Sequence, residues 1–156
     1  MTNNDVLRSL RYLLDISDAR VVEIIGLADQ EVSRQEVASW LVRDDEEGYH
    51  SCSDKRLAGF LDGLVYTLRG KDESRPPLPM ELPMSNNQIL KKLRVAFELR
   101  EDDILAILQE ADLPMTRAEI GALFRKKDHK NYRACGDQIL RNFLRGLTAR
   151  RRPPQD

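Results

Sequence analysis

Apolar positions along the chain recur at helical spacing, and they do so the same way twice. Val6, Leu7, Leu10, Leu13 and Leu14 form one stripe, mirrored by Ile89, Leu90, Leu93, Ala96 and Phe97, the pattern of an amphipathic helix. Asn4 and Asn87 stand at the start of these stripes and are read as their N-caps. A second helix follows on Val21, Ile24, Ile25 and Ala28, matched by Ile104, Ile107, Leu108 and Ala111. Asp18 in one half, and Glu101, Asp102 and Asp103 in the other, put negative charge in its first turn, where the helix dipole favours it. Ser33-Arg-Gln-Glu36 and Thr116-Arg-Ala-Glu119 are capping boxes that open a third helix. Its apolar face is Val37, Trp40 and Leu41, or Ile120, Leu123 and Phe124. A fourth helix starts at Asp54 or Asp137 as N-cap. It carries Leu57, Phe60, Leu61 and Leu64, or Leu140, Phe143, Leu144 and Leu147, at i, i+3, i+4, i+7. Gly63 and Gly146 lie inside it, where glycine costs about 1 kcal/mol relative to alanine, so another helix is expected to cross closely there.

A shift of 83 positions, from Asn3 to Asn86, lays the second half over the first without a gap. Identical residues then meet along the whole register, from Leu7 and Leu90 through Arg11 and Arg94, Tyr49 and Tyr132, Cys52 and Cys135, to Leu64 and Leu147. Such self-similarity marks a duplicated structural unit. No segment alternates with period two over a strand's length, so the expectation is an all-α protein: a tandem duplication of a four-helix unit, about eight helices in all. The halves are residues 1–70 and 86–148. Between them, residues 71–85 hold Pro76, Pro77, Pro79 and Pro83, which excludes a continuous helix or central strand. That stretch is read as a Pro-rich linker able to span at most about 45 Å at about 3.1 Å per residue. Residues 149–156, ARRRPPQD, read as a flexible tail.

The pairs Asn3-Asn4 with Leu7-x-x-Leu-Arg11, Cys52-x-Asp54 with Phe60-Leu-Asp-Gly63-Leu64, and the run Phe124 to Tyr132 with Cys135-Gly-Asp137 resemble the YehS-like family, duplicated bacterial proteins of unknown function. The resemblance implies a tandem helical repeat in a cytoplasmic bacterial protein. It supplies no activity, ligand or catalytic residue to carry over.

Composition changes this picture little until charge is divided between the halves. With 41% hydrophobic and 33% charged residues the chain is an ordinary globular sequence, and no apolar run approaches the roughly 20 residues of a membrane span. The first residues lack the basic and apolar segments of a secretory signal, so cytoplasmic residence is expected. The net charge of −1 conceals opposites. Residues 1–70 carry 8 Lys/Arg against 13 Asp/Glu, whereas residues 86–156 carry 15 against 10. One half is acidic and the other basic, which speaks to association rather than fold.

The sharpest candidate for chemistry is the run Arg125 to Arg133, RKKDHKNYR, between the third and fourth helices of the basic half. Arg125, Lys126, Lys127, Lys130 and Arg133 can neutralise phosphates, His129 lies among them, and Tyr132 offers a ring for a base. The second and third helices could form a helix-turn-helix whose second member begins at Thr116, with Arg117 facing the nucleic acid. Nucleic acid is therefore the leading expected partner, and a solvated surface is the plain alternative. The acidic half has Asp44, Asp45, Glu46, Glu47 and Gly48 where the basic half has Lys127 to Asn131. An acidic loop repels phosphate, so one chain is not a symmetric two-site reader, although a dimer would present two basic copies. The alternative is protein–protein contact or self-association, the acidic loop of one chain meeting the basic loop of another. Arg150, Arg151 and Arg152 either supplement a basic surface or form a soluble tail.

Catalysis has weaker support. His50 and His129 are not equivalent, and neither lies near a Ser or Cys in a known nucleophile pattern. Cys52 and Cys135, the only cysteines, fit packing better than a bridge or a reactive thiolate. Their spacing to histidine gives no zinc signature, and the acidic run lacks a calcium loop's pattern. There is no glycine-rich phosphate loop. The expectation is a non-enzymatic binding protein without metal or cofactor. Trp40 and Phe124 are read as core.

Overall fold

Six of the eight described helices begin where a Ser or Thr hydroxyl accepts one of the first free N–H groups. In the computed structural model, which describes residues 1–152, α1 is Asn3–Leu14, α2 Asp18–Leu27, α3 Arg34–Leu41 and α4 Asp54–Arg69. The same series follows as α5 Asn86–Ala96, α6 Glu101–Glu110, α7 Arg117–Leu123 and α8 Asp137–Arg151. Among the described residues there are eight helices and no strand. The capping boxes at Ser33 with Glu36 and at Thr116 with Glu119 are both formed. Two more open α1, from Thr2 and Asp5, and α5, from Ser85 and Gln88.

Those two boxes correct the expected caps. Asn4 and Asn87 lie inside the first turn because the hydroxyls of Thr2 and Ser85 already take the free N–H groups of Asp5 and Gln88. Asp54 is likewise displaced as cap by Ser53, whose hydroxyl accepts from Arg56 N, and Asp137 by Gly136, which caps without a side chain. The asparagines are thereby free for another task, described below.

The chain divides into two compact units, Met1–Met84 and one that begins at Ser85. In the first, α2 packs on α4 and α3 while α1 packs on α3 and α4; in the second, α6 packs on α8 and α7, and α5 on α8. Phe60 and Phe143, both 0% exposed, occupy equivalent places in the two cores among Leu10, Ile24, Leu57 and Leu64, or Leu93, Ile107, Leu140 and Leu147. The glycines of the fourth helices mark the closest approach. A Cβ on Gly146 would lie 2.6 Å from the Ile107 carbonyl oxygen, and one on Gly63 would lie 2.6 Å from the Ile24 carbonyl carbon.

The proline-rich segment is tied to the first unit. Lys71 Nζ donates to Leu27 O at 2.8 Å and sits 5.0 Å from the centre of the Tyr66 ring. Leu78 N donates to Tyr66 Oη at 3.0 Å, and Met84 N to Asp54 Oδ2 at 3.0 Å. At the other end, α8 continues through Arg151, so residues 149–151 are helical where composition assigns a tail; residues 153–156 of that tail lie outside the described residues. Trp40 is core at 5% exposure. Phe124 is not fully so: it is the C-cap of α7, half-buried, and the Arg94 guanidinium lies 4.6 Å from its ring centre.

Candidate functional site

The loops between the third and fourth helices share one backbone design. In the first unit Glu46 N donates to Arg43 O, Tyr49 N to Glu46 O and His50 N to Ser39 O, at 3.0, 3.3 and 2.9 Å. In the second, His129 N donates to Lys126 O, Tyr132 N to His129 O and Arg133 N to Ala122 O, at 2.9, 3.0 and 3.0 Å. Two successive turns are therefore built identically, residue for residue.

The asparagine pairs anchor both loops. Asn4 Nδ2 donates to Trp40 O at 3.0 Å and His50 O at 2.8 Å, while its Oδ1 accepts from Cys52 N at 2.9 Å. Asn87 repeats this with Leu123 O, Arg133 O and Cys135 N, at 3.0, 2.9 and 2.8 Å. Asn3 Nδ2 reaches Cys52 O and Asp54 Oδ1, and Asn86 Nδ2 reaches Cys135 O and Asp137 Oδ1. Each loop is thus held where it leaves the third helix and where it enters the fourth. A loop ordered before binding loses less entropy when a partner arrives.

On this common frame the second unit displays cations. Arg125, Lys126, Lys127 and Lys130 are exposed, and their side chains make no ion pair or hydrogen bond. His129 Nδ1 accepts the Asn131 N–H at 3.0 Å, which leaves Nε2 as the outward donor. Tyr132 is half-buried, so its ring is not a freely exposed platform. Arg133 and Arg117 stand apart from the cluster. Arg133 Nη1 pairs with Glu119 Oε2 at 3.3 Å, and Glu119 is held below the usual carboxylate range by the Thr116 backbone N–H, then the Thr116 hydroxyl, with Arg133 contributing. Arg117 Nη1 lies 2.5 Å from Asp102 Oδ1 and 3.5 Å from Glu101 Oε1. Of the eight residues expected at a basic surface, five share the open loop, Tyr132 is partly covered, and two are neutralised by their own fold.

Arg94 belongs beside that loop although the run of charge does not include it. Its counterpart Arg11 pairs with Asp18 at 3.1 Å. Glu101 stands where Asp18 would be and pairs with Arg117, and Arg94 lies over Phe124 instead. An open depression there is lined by Phe124, Arg125, Lys126, Asp128 and His129. The signal in the sequence was a difference between copies: Phe124 replaces Leu41, giving an arginine a ring to cover.

The first unit shows the opposite sign. Asp44, Glu46 and Glu47 are exposed and unpaired, while Asp45 bonds Arg43 at 3.1 Å. A second open depression, beside this loop, is lined by Ser33, Gln35, Glu36, Ser39, Trp40 and His50. Among the described residues no group of three or more His, Cys, Asp or Glu side chains is placed to hold a metal ion. Both cysteines are free and buried; desolvation pushes the Cys52 thiol up to about 12 and the Cys135 thiol to about 11. They remain protonated at neutral pH, and a thiolate nucleophile is not poised in either unit. No described helix is long and apolar enough to cross a membrane.

No solved structure matches the chain significantly. The uncharacterized protein YehS of Escherichia coli (strain K12) is 51% identical to it over 150 residues, covering 96% of each chain. Residues 3–70 and 86–152, the two halves of the duplication, each match a single family model, and the chain belongs to that family, the proteins of unknown function DUF1456.

Proposed function

We propose that the protein is a non-enzymatic binding module that associates through its charged loops, the Asp44–Glu47 loop of one copy meeting the Arg125–Lys130 loop of another. One observation carries this reading: two loops with the same backbone hydrogen bonds present unpaired charge of opposite sign at equivalent positions, Asp44 against Lys127 and Glu47 against Lys130. Exposed opposite charges attract by only about 1 kcal/mol per pair in water at contact. Several on pre-ordered loops steer encounter and set orientation. Two such contacts close a two-fold dimer, while a single contact propagates into an open chain. Sedimentation velocity tests this. At about 50 mM salt the protein should sediment as a dimer or larger particle and shift toward the monomer at about 500 mM, where charges are screened within about 4 Å. A monomer at both salts sinks the reading.

Nucleic acid is the second reading, favoured by the Arg94 and Phe124 stack beside four unpaired cations. It would use the loop rather than α7. That helix has seven residues, and its outward Arg117 and Glu119 are already paired, so backbone contact rather than base reading would result. Titration of labelled duplex and single strand decides between them. Neutralising about four phosphates should give a log–log salt slope of about −3 to −4, without change in particle size.

A further inference from the structure

The two units, superimposed by sequence, show what the first unit's depression lacks. In the second unit the equivalent place is filled by the protein itself: Glu119 Oε1 accepts the Thr116 N–H at 3.0 Å, and Glu119 Oε2 takes the Arg133 guanidinium at 3.3 Å. In the first unit Glu36 Oε1 accepts the Ser33 N–H in the same way, at 3.3 Å. The residue matching Arg133, however, is His50, whose Nδ1 bonds its own loop at Gly48 O, 3.1 Å away. Glu36 Oε2 is left without its guanidinium.

Three further differences along the depression suit that missing group. Ala118 and Ala122 of the second unit become Gln35 and Ser39, and Leu123 becomes Trp40. Gln35 adds a free amide oxygen. Ser39 Oγ donates to Glu36 O at 2.6 Å and keeps its lone pairs available to a donor. Trp40, 5% exposed, contributes to the lining of the depression. Acceptors in several directions beside an aromatic ring match a planar guanidinium, with its five N–H donors, better than the compact ammonium of lysine.

We propose that this depression receives the side chain of Arg125 from a second copy of the chain. The inference rests on the loop-to-loop reading above and gives it a register. Arg125 is the arginine of the basic loop that no carboxylate of its own unit engages. Lys126 and Lys127 follow it directly, and the acidic loop ends at His50 on the rim of the depression. Seating Arg125 beside Glu36 therefore brings the lysines to Glu46 and Glu47.

The full-length protein provides the test, with sedimentation equilibrium for the association constant and emission of Trp40, the single tryptophan, for occupancy. Glu36→Gln preserves the capping box, since glutamine also accepts at that position, and Arg125→Lys preserves the loop's charge. Each should weaken association about tenfold, the loss expected for one charge-assisted contact, and remove the dilution-dependent change in Trp40 emission. The double variant should be no weaker than the weaker single variant. Association within twofold of wild type in either single variant overturns the Arg125 site. If Asp44, Glu46 and Glu47 to Lys together still abolish association, loop pairing survives that result while the register fails. A wild-type chain that never associates removes the loop reading, and this inference with it.

Discussion

Asn4 and Asn87 do at residue scale what a turn sequence alone does not: they hold the connection between the third and fourth helices of their unit in one conformation from outside it. Each donates twice and accepts once, and truncation strands two carbonyls and an N–H. An unsatisfied buried polar group costs about 1–3 kcal/mol, so burial decides the outcome. Asn4 is 2% exposed, whereas Asn87 is only half-buried and water can replace part of its work. Asn4→Ala should therefore lower unfolding free energy by about 3 kcal/mol, and Asn87→Ala by about half as much, as measured by urea denaturation. Asn3 gives a pH signature through its neighbour. Its amide, followed by the Met84 N–H, holds the Asp54 carboxyl below its ordinary value. The folded value lies below the unfolded one, so this stabilisation is complete above the unfolded value and disappears as pH falls through the folded value. Solvent limits it to about 1 kcal/mol. Asp54→Asn should accordingly lower stability by about 1 kcal/mol at neutral pH, where the carboxylate acts, and flatten the acid limb below about pH 4.

At the scale of elements, glycine separates packing from propensity. A Cβ at Gly63 or Gly146 collides with the Ile24 or Ile107 carbonyl of the crossing helix, and backbone does not move aside cheaply. Gly63→Ala and Gly146→Ala should each cost about 1–3 kcal/mol, outweighing the gain of about 1 kcal/mol in helix propensity. Gly121, inside α7, has nothing within 4 Å of its Cβ position. Gly121→Ala should instead raise stability by about 0.5–1 kcal/mol, a contrast visible in the melting temperatures of the variants. The crossing glycines were legible in the sequence because a residue unfavourable to helix recurred at the same place in both copies. Helix count and apolar faces were legible for the same reason, the periodic stripe appearing twice. Four caps were misplaced because Asn and Asp in the first turn look like caps: Asn4 and Asn87 stand two residues after the true caps Thr2 and Ser85, and Asp54 and Asp137 directly follow Ser53 and Gly136. The loop's charge was equally plain, but its pairing was not. Arg117 is neutralised by Asp102 and Glu101 from another helix, a contact that only the packing of α6 against α7 creates.

For the whole molecule, duplication supplied one scaffold and divergence supplied two signs. The loop backbones coincide in their hydrogen bonds, so exchanging charge on one of them tests function with little change to the frame. Replacing Asp44, Glu46 and Glu47 by Lys turns the acidic loop basic, since these three side chains are exposed and unpaired and their substitution should alter stability by less than about 0.5 kcal/mol. The two readings then predict opposite responses from one variant. If copies join acidic loop to basic loop, like charges now face one another, and the low-salt particle should revert to a monomer. If the basic loop instead serves nucleic acid, the chain gains a second cationic loop; affinity for duplex should rise at low salt and the salt slope should steepen by about 3. Sedimentation and a binding titration on the same preparation distinguish these outcomes. Loss of the oligomer without gain in duplex affinity assigns the division of charge to self-recognition, the direction in which the unpaired residues of both loops point.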